Sequence, residues 1–443
     1  MSALPVMEVY EVGGSLRDHV LGREPKEIDF MIRGHPVEEL RDLLVVEGRA
    51  EELTVAGRLV GIRFWPSWGP REGIEVVVPR RERPLQPGEP GYTGNPHTDF
   101  AIEPDAALPV ERDLERRDFT VNAMARDLRS GEWIDPFDGR SDARARLLRA
   151  VHPDSFRDDP LRVLRGVARR ARDRLVPDDE TFSLMRSFAP RIAGLSVERV
   201  RHELERTLEG EWAADGLRLA RDVGALEAAV PELAAMVGIE QESRTQAYTL
   251  DEHALHTLEE ACGRTEDPLV RLAALWHDVG KPVEPRDHAE AGARIAESAL
   301  RRLTYDGATI RAVRHLIAEH AYAEDQEPDA TGARRFLARV GREHARRVLL
   351  LRRCDRAARG VQIPADQARA REEFEALVQG EWERPVTLGE LTLTGDDLIA
   401  AGVPQGPRLG RVLTILLAEV VEQPSLNVRV DLLARARELV AES

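Results

Sequence analysis

Cysteine and lysine are the scarcest residues with chemical consequences. Only Cys262 and Cys354 occur among 443 residues. Two thiols so far apart cannot form a disulfide framework, which excludes a small secreted scaffold and fits a reducing, cytoplasmic setting. Long apolar runs are also missing. No stretch approaches the ~20 residues a helix needs to cross a bilayer, so no membrane association is expected. The first fourteen residues, MSALPVMEVYEVGG, lack the basic start, apolar stretch and small-residue cleavage site of a signal peptide. Lysine is confined to Lys26 and Lys281, and the pervasive preference for arginine reflects composition rather than chemistry. An excess of positive charge is absent too: the net charge is −16. That argues against a chain held to a polyanion over its whole surface. One stretch runs the other way. From Arg140 to Arg174 there are eleven Arg against five Asp.

At 443 residues the chain exceeds one compact core, and several domains are expected. Up to about residue 137 the pattern is mixed. EVYEV, EIDFMIR, RLVGIRF and GIEVVVPR read as strands, with LRDHVLG a short helix after the first. Residues 82–104 are dense in Pro and Gly and read as one long loop, a length that often carries function. From Pro160 onward, apolar residues recur at three- and four-residue spacing, so the remainder is expected to be helical. The spacing gives an α+β architecture: a small mixed-sheet head, then an all-helical neck, body and tail. The expected domains are 1–140, 141–240, 241–375 and 376–443.

Three constellations carry chemistry. In the first, Gly13 and Gly14 follow a strand and open a helix, so that backbone N–H groups and the helix N-terminus can meet a polyphosphate, with Arg17 adding a cation. Glu27 and Asp29 lie two apart on a predicted strand and share a face. Carboxylates held side by side repel unless cations sit between them, which suits two Mg²⁺ ions. Glu75, on a neighbouring predicted strand, is the candidate third carboxylate. In the second constellation, Asp158, Asp159 and Arg162 open a helix. Asp159 and Arg162, three apart, are expected to share a face and to offer an acceptor beside a fork of donors. That pair complements cytosine or adenine and rejects G and U, with Asp158 in support.

The motif GGSLRDHVLGREPKEIDF resembles the opening of the class II tRNA nucleotidyltransferases, a family that includes bacterial poly(A) polymerases. RRDFTVNA, WIDPFDGRSDARARLLR, FRDDPLRVLRGVARRA and LSVERVRHEL are similar to its later motifs, in the family's order. The resemblance makes Glu27 and Asp29 the metal pair, although the family usually has Asp where this chain has Glu27. It gives Asp118 the ribose 2′-hydroxyl and places Arg117, Asn122 and Arg165 with Gly14 and Arg17 around the nucleotide. The implied reaction adds C and A residues to the tRNA 3′ end from CTP and ATP, with Mg²⁺ and release of pyrophosphate. CC-only or A-only addition, poly(A) polymerase activity, and a hydrolase with a degenerate head are the alternatives. The HD constellation and the C-terminal segment count against the poly(A) branch, and Glu27 is the feature that favours the hydrolase.

The third constellation is His277-Asp278 followed by Val279-Gly280-Lys281, with His256 upstream and Asp355 downstream. This set resembles the HD phosphohydrolases and implies a divalent transition metal held by His256, His277, Asp278 and Asp355, with His288, His315 and His320 as further ligands or phosphate contacts. The segment LTGDDLIAAGVPQGPRLGRVLTILLAEVV resembles the tRNA-holding tail of the same family, with Gly402, Pro404 and Pro407 marking a turn between helices. Oligomeric state is not legible.

Overall fold

A computed structural model of the chain describes residues 7–25, 27–55, 57–67, 73–89, 100–241, 247–322 and 328–441. Lys26 and most of the central part of the expected 82–104 loop lie outside them. The chain divides into two compact units, Met1–Ala234 and Ala235–Ser443. No described helix is long and apolar enough to cross a membrane.

The first unit opens with β1 (Glu8–Val12), α1 (Gly14–Val20), β2 (Asp29–Arg33), α2 (Val37–Leu44), β3 (Gly48–Val55), β4 (Arg58–Pro66) and β5 (Ile74–Val77). Next come β6 (Arg80–Pro84), β7 (Phe100–Pro104), α3 (Val110–Glu115), β8 (Ala125–Asp127), β9 (Trp133–Ile134) and α4 (Gly139–Arg144). Seven strands form one mixed sheet in the order β3-β4-β5-β2-β1-β8-β9, with β2 and β5 parallel. Alternation along the strands sorts side chains to two faces. Tyr10, Val12 and Met31 pack with Val110 and Leu114 of α3, while Ile32, Ile62, Phe64 and Val76 pack with Val37 and Leu40 of α2. In the β1–β2 register Val12 faces Asp29 and Tyr10 faces Met31, so Asp29 belongs to the first face. The expected loop at 82–104 is corrected at both ends. Glu82, Arg83 and Pro84 belong to β6, which pairs antiparallel with β7 from Arg80↔Pro104 to Pro84↔Phe100. The charged residues of this ribbon hid the period-two pattern, because neither strand alternates polar with apolar.

The helices of the first unit are α5 (Ser155–Asp158), α6 (Leu161–Asp173), α7 (Asp179–Phe188), α8 (Val197–Leu208), α9 (Ala213–Asp222), α10 (Ala225–Ala229) and α11 (Pro231–Ala234). Pro160 interrupts between α5 and α6, since a proline can start a helix but not continue one. The α6 helix buries Leu161, Leu164, Val167, Ala168 and Ala171.

The second unit is helical: α12 (Leu250–Cys262), α13 (Pro268–Trp276), α14 (His288–Arg302), α15 (Gly307–Glu319), α16 (Ala330–Val340), α17 (Arg342–Ala357) and α18 (Ala365–Gly380), then α19 (Gly395–Ala400), α20 (Pro407–Glu422) and α21 (Arg429–Ala441). Gly280 explains one close approach. A Cβ there would lie 2.2 Å from the His288 carbonyl and 2.5 Å from the Gly292 amide, so only glycine lets the segment after α13 lie against α14. The tail has its own core, in which Leu398, Val412, Leu416, Val420 and Leu432 are buried together. Arg334 of α16 ties it down, donating to the carbonyls of Val421 and Glu422 at the end of α20.

Candidate active sites

The structure brings the three sequence-predicted carboxylates of the head together. Asp29 begins β2 and stands opposite Glu75 in the parallel β2–β5 register, so both occupy one face. Glu27 lies just before the strand. Burial, then Glu75 and Glu27, push the Asp29 carboxyl up to about 6, against the pull of Arg117 and Arg63. Arg63 of β4 holds Glu75 at 2.6 Å.

Glu27 and Asp29 line a cleft of about 410 Å³ together with Gly14, Arg17, Asp118, Asn122 and Arg165. Gly13, with φ +83°, makes the turn into α1. The rest is one hydrogen-bonded chain. Arg17 donates to Asn122 Oδ1 at 2.7 Å, Asn122 Nδ2 donates to Asp118 Oδ1 at 3.0 Å, and Arg165 meets Asp118 Oδ2 at 2.8 Å. Burial alone would raise Asp118. Arg165, the Asn122 amide, Arg162 and the Phe119 N–H outweigh it and hold the carboxyl at about 2. Asp118 is therefore an ionised acceptor at neutral pH. Arg117 donates to the Asn122 carbonyl at 3.1 Å and pairs with buried Asp113. The cleft also contains cations that motif reading did not single out, namely Arg23, Arg169, Arg172 and Arg206. Burial, with Arg17 close by, pulls Arg169 down to about 10.

Asp159 and Arg162, expected to share a helical face, do not lie on one helix, because Asp159 precedes α6. The helical i, i+3 argument fails because Asp159 is extended (φ −140°, ψ 98°) ahead of Pro160. Asp159 instead accepts from the Leu161 N–H and pairs with Arg199 of α8 at 2.9 Å. Arg162 donates to the carbonyls of Arg116 and Arg117 at 2.7 and 3.2 Å. Asp158 and Arg162 share the wall of a second cavity, about 790 Å³, with Arg80, Glu82, Arg116 and Ser155.

The second unit holds a buried cluster where helix ends meet. Asp355 of α17, His277 and Asp278 after α13, and His320 after α15 are each under 5% exposed. His256 does not join them. It stacks on Tyr248 and contacts Glu259 at 3.1 Å. The histidine of α12 that joins the cluster is His253, fully buried, with Nε2 3.1 Å from Asp355 Oδ1 and 3.3 Å from His277 Nε2. The helix wheel carries the signal for this correction. His253 shares a face with buried Leu250, Ala254, Thr257 and Ala261, whereas His256 lies among Glu252, Glu259 and Glu260. His315 is turned away as well, bonding the Val340 carbonyl at 2.8 Å. His288 and His320 do approach Asp278, at 3.4 and 3.8 Å. Burial, then His277, pushes His320 down to about 3, so it is neutral. Against burial, Asp278 draws His277 upward. His253, His277 and Asp355, and separately His277, Asp278 and His320, have ligand atoms close enough to share a cation.

The chain matches three family models: the Poly A polymerase head domain over residues 9–149, the probable RNA and SrmB-binding site of polymerase A over 176–237, and the HD domain over 247–360. It is 36% identical over 314 residues to the multifunctional CCA protein of Teredinibacter turnerae, covering 67% of this chain and 70% of that one. The match to the multifunctional CCA protein of Xanthomonas campestris pv. campestris is 31% over 444 residues, 95% of this chain and 100% of the relative. Shorter alignments with other proteins of that name span 64% and 65% of those chains. Among solved structures, the fold is similar to the Bacillus stearothermophilus CCA-adding enzyme crystallised with CTP, with a TM-score of 0.66 at 22% identity over 98% of this chain and 94% of that one. With the head, the RNA-binding segment and the HD domain in one order, and a full-length match of this identity, the chain belongs to the multifunctional CCA protein family.

Proposed function

We propose that the first unit adds C and A to the 3′ end of tRNA from CTP and ATP, releasing pyrophosphate. One observation carries this reading: Asp29, crowded by Glu75 and Glu27, lines a cleft shared with Arg17, Arg23, Arg165, Arg169, Arg172 and Arg206. Carboxylates that repel one another on one wall want divalent cations, and guanidinium groups on the others want phosphates. Both protein domains use divalent metals, and Mg²⁺ is the proposed ion here. When bound at Glu27, Asp29 and Glu75, it would activate the attacking 3′-hydroxyl and neutralise the triphosphate.

The chain's own groups do the rest. Asp118, held ionised, accepts from the ribose 2′-hydroxyl. Arg17 and Asn122 brace it and face the triphosphate beside Gly14. Arg117 fixes the Asn122 backbone, and Arg165 fixes Asp118. Arg162 uses two of its five N–H groups on backbone carbonyls, which leaves others for a base edge; Asp158 lines the same cavity, and Asp159 is the proposed acceptor. Finer partition of the two units into head (1–140), neck (141–240), body (241–375) and tail (376–443) follows the change from sheet to helices and the separate tail core. A cytoplasmic setting agrees with two free cysteines.

The buried cluster supports a second, metal-dependent phosphohydrolase activity, with His253, His277, Asp278 and Asp355 holding a transition metal. The experiment uses three tRNAs, ending at the discriminator base, at C and at CC, each with single labelled nucleotides. Ordered C, C, A addition supports the reading. Incorporation of only C or only A, or of long A runs, identifies one of the narrower alternatives, and no incorporation leaves the hydrolase alone.

A further inference from the structure

Asp113 of α3 is a carboxylate with no access to solvent. A buried charge is costly unless partners compensate it, and here every partner is a donor. Oδ1 accepts from the Arg80 backbone N–H at 3.2 Å and from Arg116 Nε and Nη2 at 3.0 and 2.7 Å. Oδ2 accepts from Arg117 Nη2 at 3.3 Å. Burial alone would raise the carboxyl; Arg116 and Arg117 outweigh it and hold it below its ordinary range.

The two arginines lead to different ends of the nucleotide. Arg117 is fixed by its Nη groups alone, because its buried Nε meets no acceptor among the described residues. Nη1 donates to the Asn122 carbonyl at 3.1 Å and lies 3.0 Å from where a Cβ on Gly13 would stand. Against burial, Glu75 and Glu27, Arg117 pulls the Asp29 carboxyl down, so its charge is felt among the metal carboxylates. The backbone carbonyls of Arg116 and Arg117 accept the two bonds that hold Arg162. Arg116 itself has one arm on Glu82 of β6, at 2.7 Å, and its other two donors on Asp113.

Arg116, Arg117 and Arg162 are thus tied to one carboxylate, directly or through the backbone between them. We propose that Asp113 is a positioning residue for nucleotide addition, setting Arg117 beside the metal carboxylates and, through the carbonyls of Arg116 and Arg117, the aim of Arg162 at the base. This rests on the reading of the head as a nucleotidyl transfer site. The two oxygens of Asp113 can be separated by substitution. In Asp113→Asn the amide oxygen can keep the Arg80 N–H and the Arg116 fork, but the NH₂ group then faces Arg117 Nη2, donor against donor. Asp113→Ala releases both arginines.

The test is steady-state incorporation of CTP and of UTP by the full chain on tRNA ending in C, with thermal melting to follow folding. Asp113→Asn should lose CTP use by about 5- to 150-fold, the cost of one lost polar partner, and keep most of the CTP-to-UTP preference. Asp113→Ala should lose at least as much rate and lower the preference as well. In an Arg162→Ala background Asp113→Ala should lower the preference no further, because both act through one guanidinium group. Glu111→Gln, at an exposed acid of the same helix, should change neither quantity. Should Asp113→Ala fail to fold, Arg116→Lys replaces it: a single ammonium cannot reproduce the fork, and the preference should again fall. Parental rate and preference in a folded Asp113 variant overturn the proposal. So does an equal loss for CTP and UTP in Asp113→Ala, the mark of a merely structural acid, or an unchanged preference in Arg116→Lys. A parent that incorporates no nucleotide overturns the reading of the head and the proposal with it.

Discussion

Replacing Asp29 by Asn separates a metal site from a merely structural acid. In the metal-free protein the Asp29 carboxyl titrates at about 6, against an ordinary 3.8, because burial, Glu75 and Glu27 disfavour its charge. A rise of this size corresponds to at most ~3 kcal/mol. Asp29 is only partly buried, and screening reduces this to about 1–2 kcal/mol. The sign follows from linkage. A folded-state pKa above the unfolded value gives stability that is present below pH 3.8 and is lost as pH rises through 6. The amide of the Asp29→Asn variant carries no charge at any pH, so its advantage grows between those values and is constant above them. In EDTA at pH ~7.5 the variant should melt about 3–6 °C higher than the parent for a unit of this size, and at pH ~4 the two should coincide. Saturating Mg²⁺ should reverse the order, since only the parent gains binding energy, about 2.7 kcal/mol at a hundredfold excess over Kd. Nucleotide incorporation should meanwhile fall on the order of several hundredfold or more, the loss of several kcal/mol of transition-state stabilisation. A variant that melts at or below the parent in EDTA, or still incorporates normally, refutes the assignment.

His253→Ala should abolish tight transition-metal binding, and His256→Ala should leave it unchanged; equal effects in the two titrations would return the ligand from α12 to open status. Arg162→Ala and Asp159→Ala should each cost about 5- to 150-fold in CTP and ATP use and lower the CTP-to-UTP preference, with Asp158→Ala milder, when incorporation is measured on tRNA ending in C. An unchanged preference in both would mean that the base is read elsewhere. His277→Ala with Asp278→Ala should remove metal-dependent phosphatase activity and leave nucleotide addition intact, because the sites lie in different compact units. Glu27→Asp should keep or raise incorporation, because the shorter acid restores the family's usual ligand; a fall would show the site has adjusted to Glu.

The pairing of Asp29 with Glu75 was legible because strand periodicity decides it, whereas Glu27, read as part of the same strand, lies just before it. Asp29 and Glu75 are each in a short run of β-branched and apolar residues, and placing both runs in one sheet leaves only register to chance. The errors came where local rules meet a break or a neighbouring element. Pro160, readable in the sequence, ends the helical phase between Asp159 and Arg162. His253, which motif spacing did not single out, joins the cluster in place of His256 because two histidines three residues apart on α12 point to different surroundings. Arg199, the actual partner of Asp159, lies forty residues away, and no local spacing could reveal it.

The net charge of −16 and an anionic substrate are reconciled by where the arginines of one helix point. Arg162, Arg165, Arg169 and Arg172 are spaced by three, four and three residues, which puts them on one face of α6, while the opposite face supplies Val163, Val167 and Ala171 to the core. Three of these four line the cleft with Asp29, and Arg162 lines the neighbouring cavity. Within the stripe Arg165 pairs with Asp118 and Arg169 with Asp173, and elsewhere in the same stretch Arg149 pairs with Asp142, Arg157 with Asp154 and Arg170 with Asp215. A polyphosphate bound there as proposed would meet the stripe at contact distance, whereas acids farther than about 10 Å away are screened at ordinary ionic strength. Local order of charge, set by the helical period, outweighs the sum over the chain.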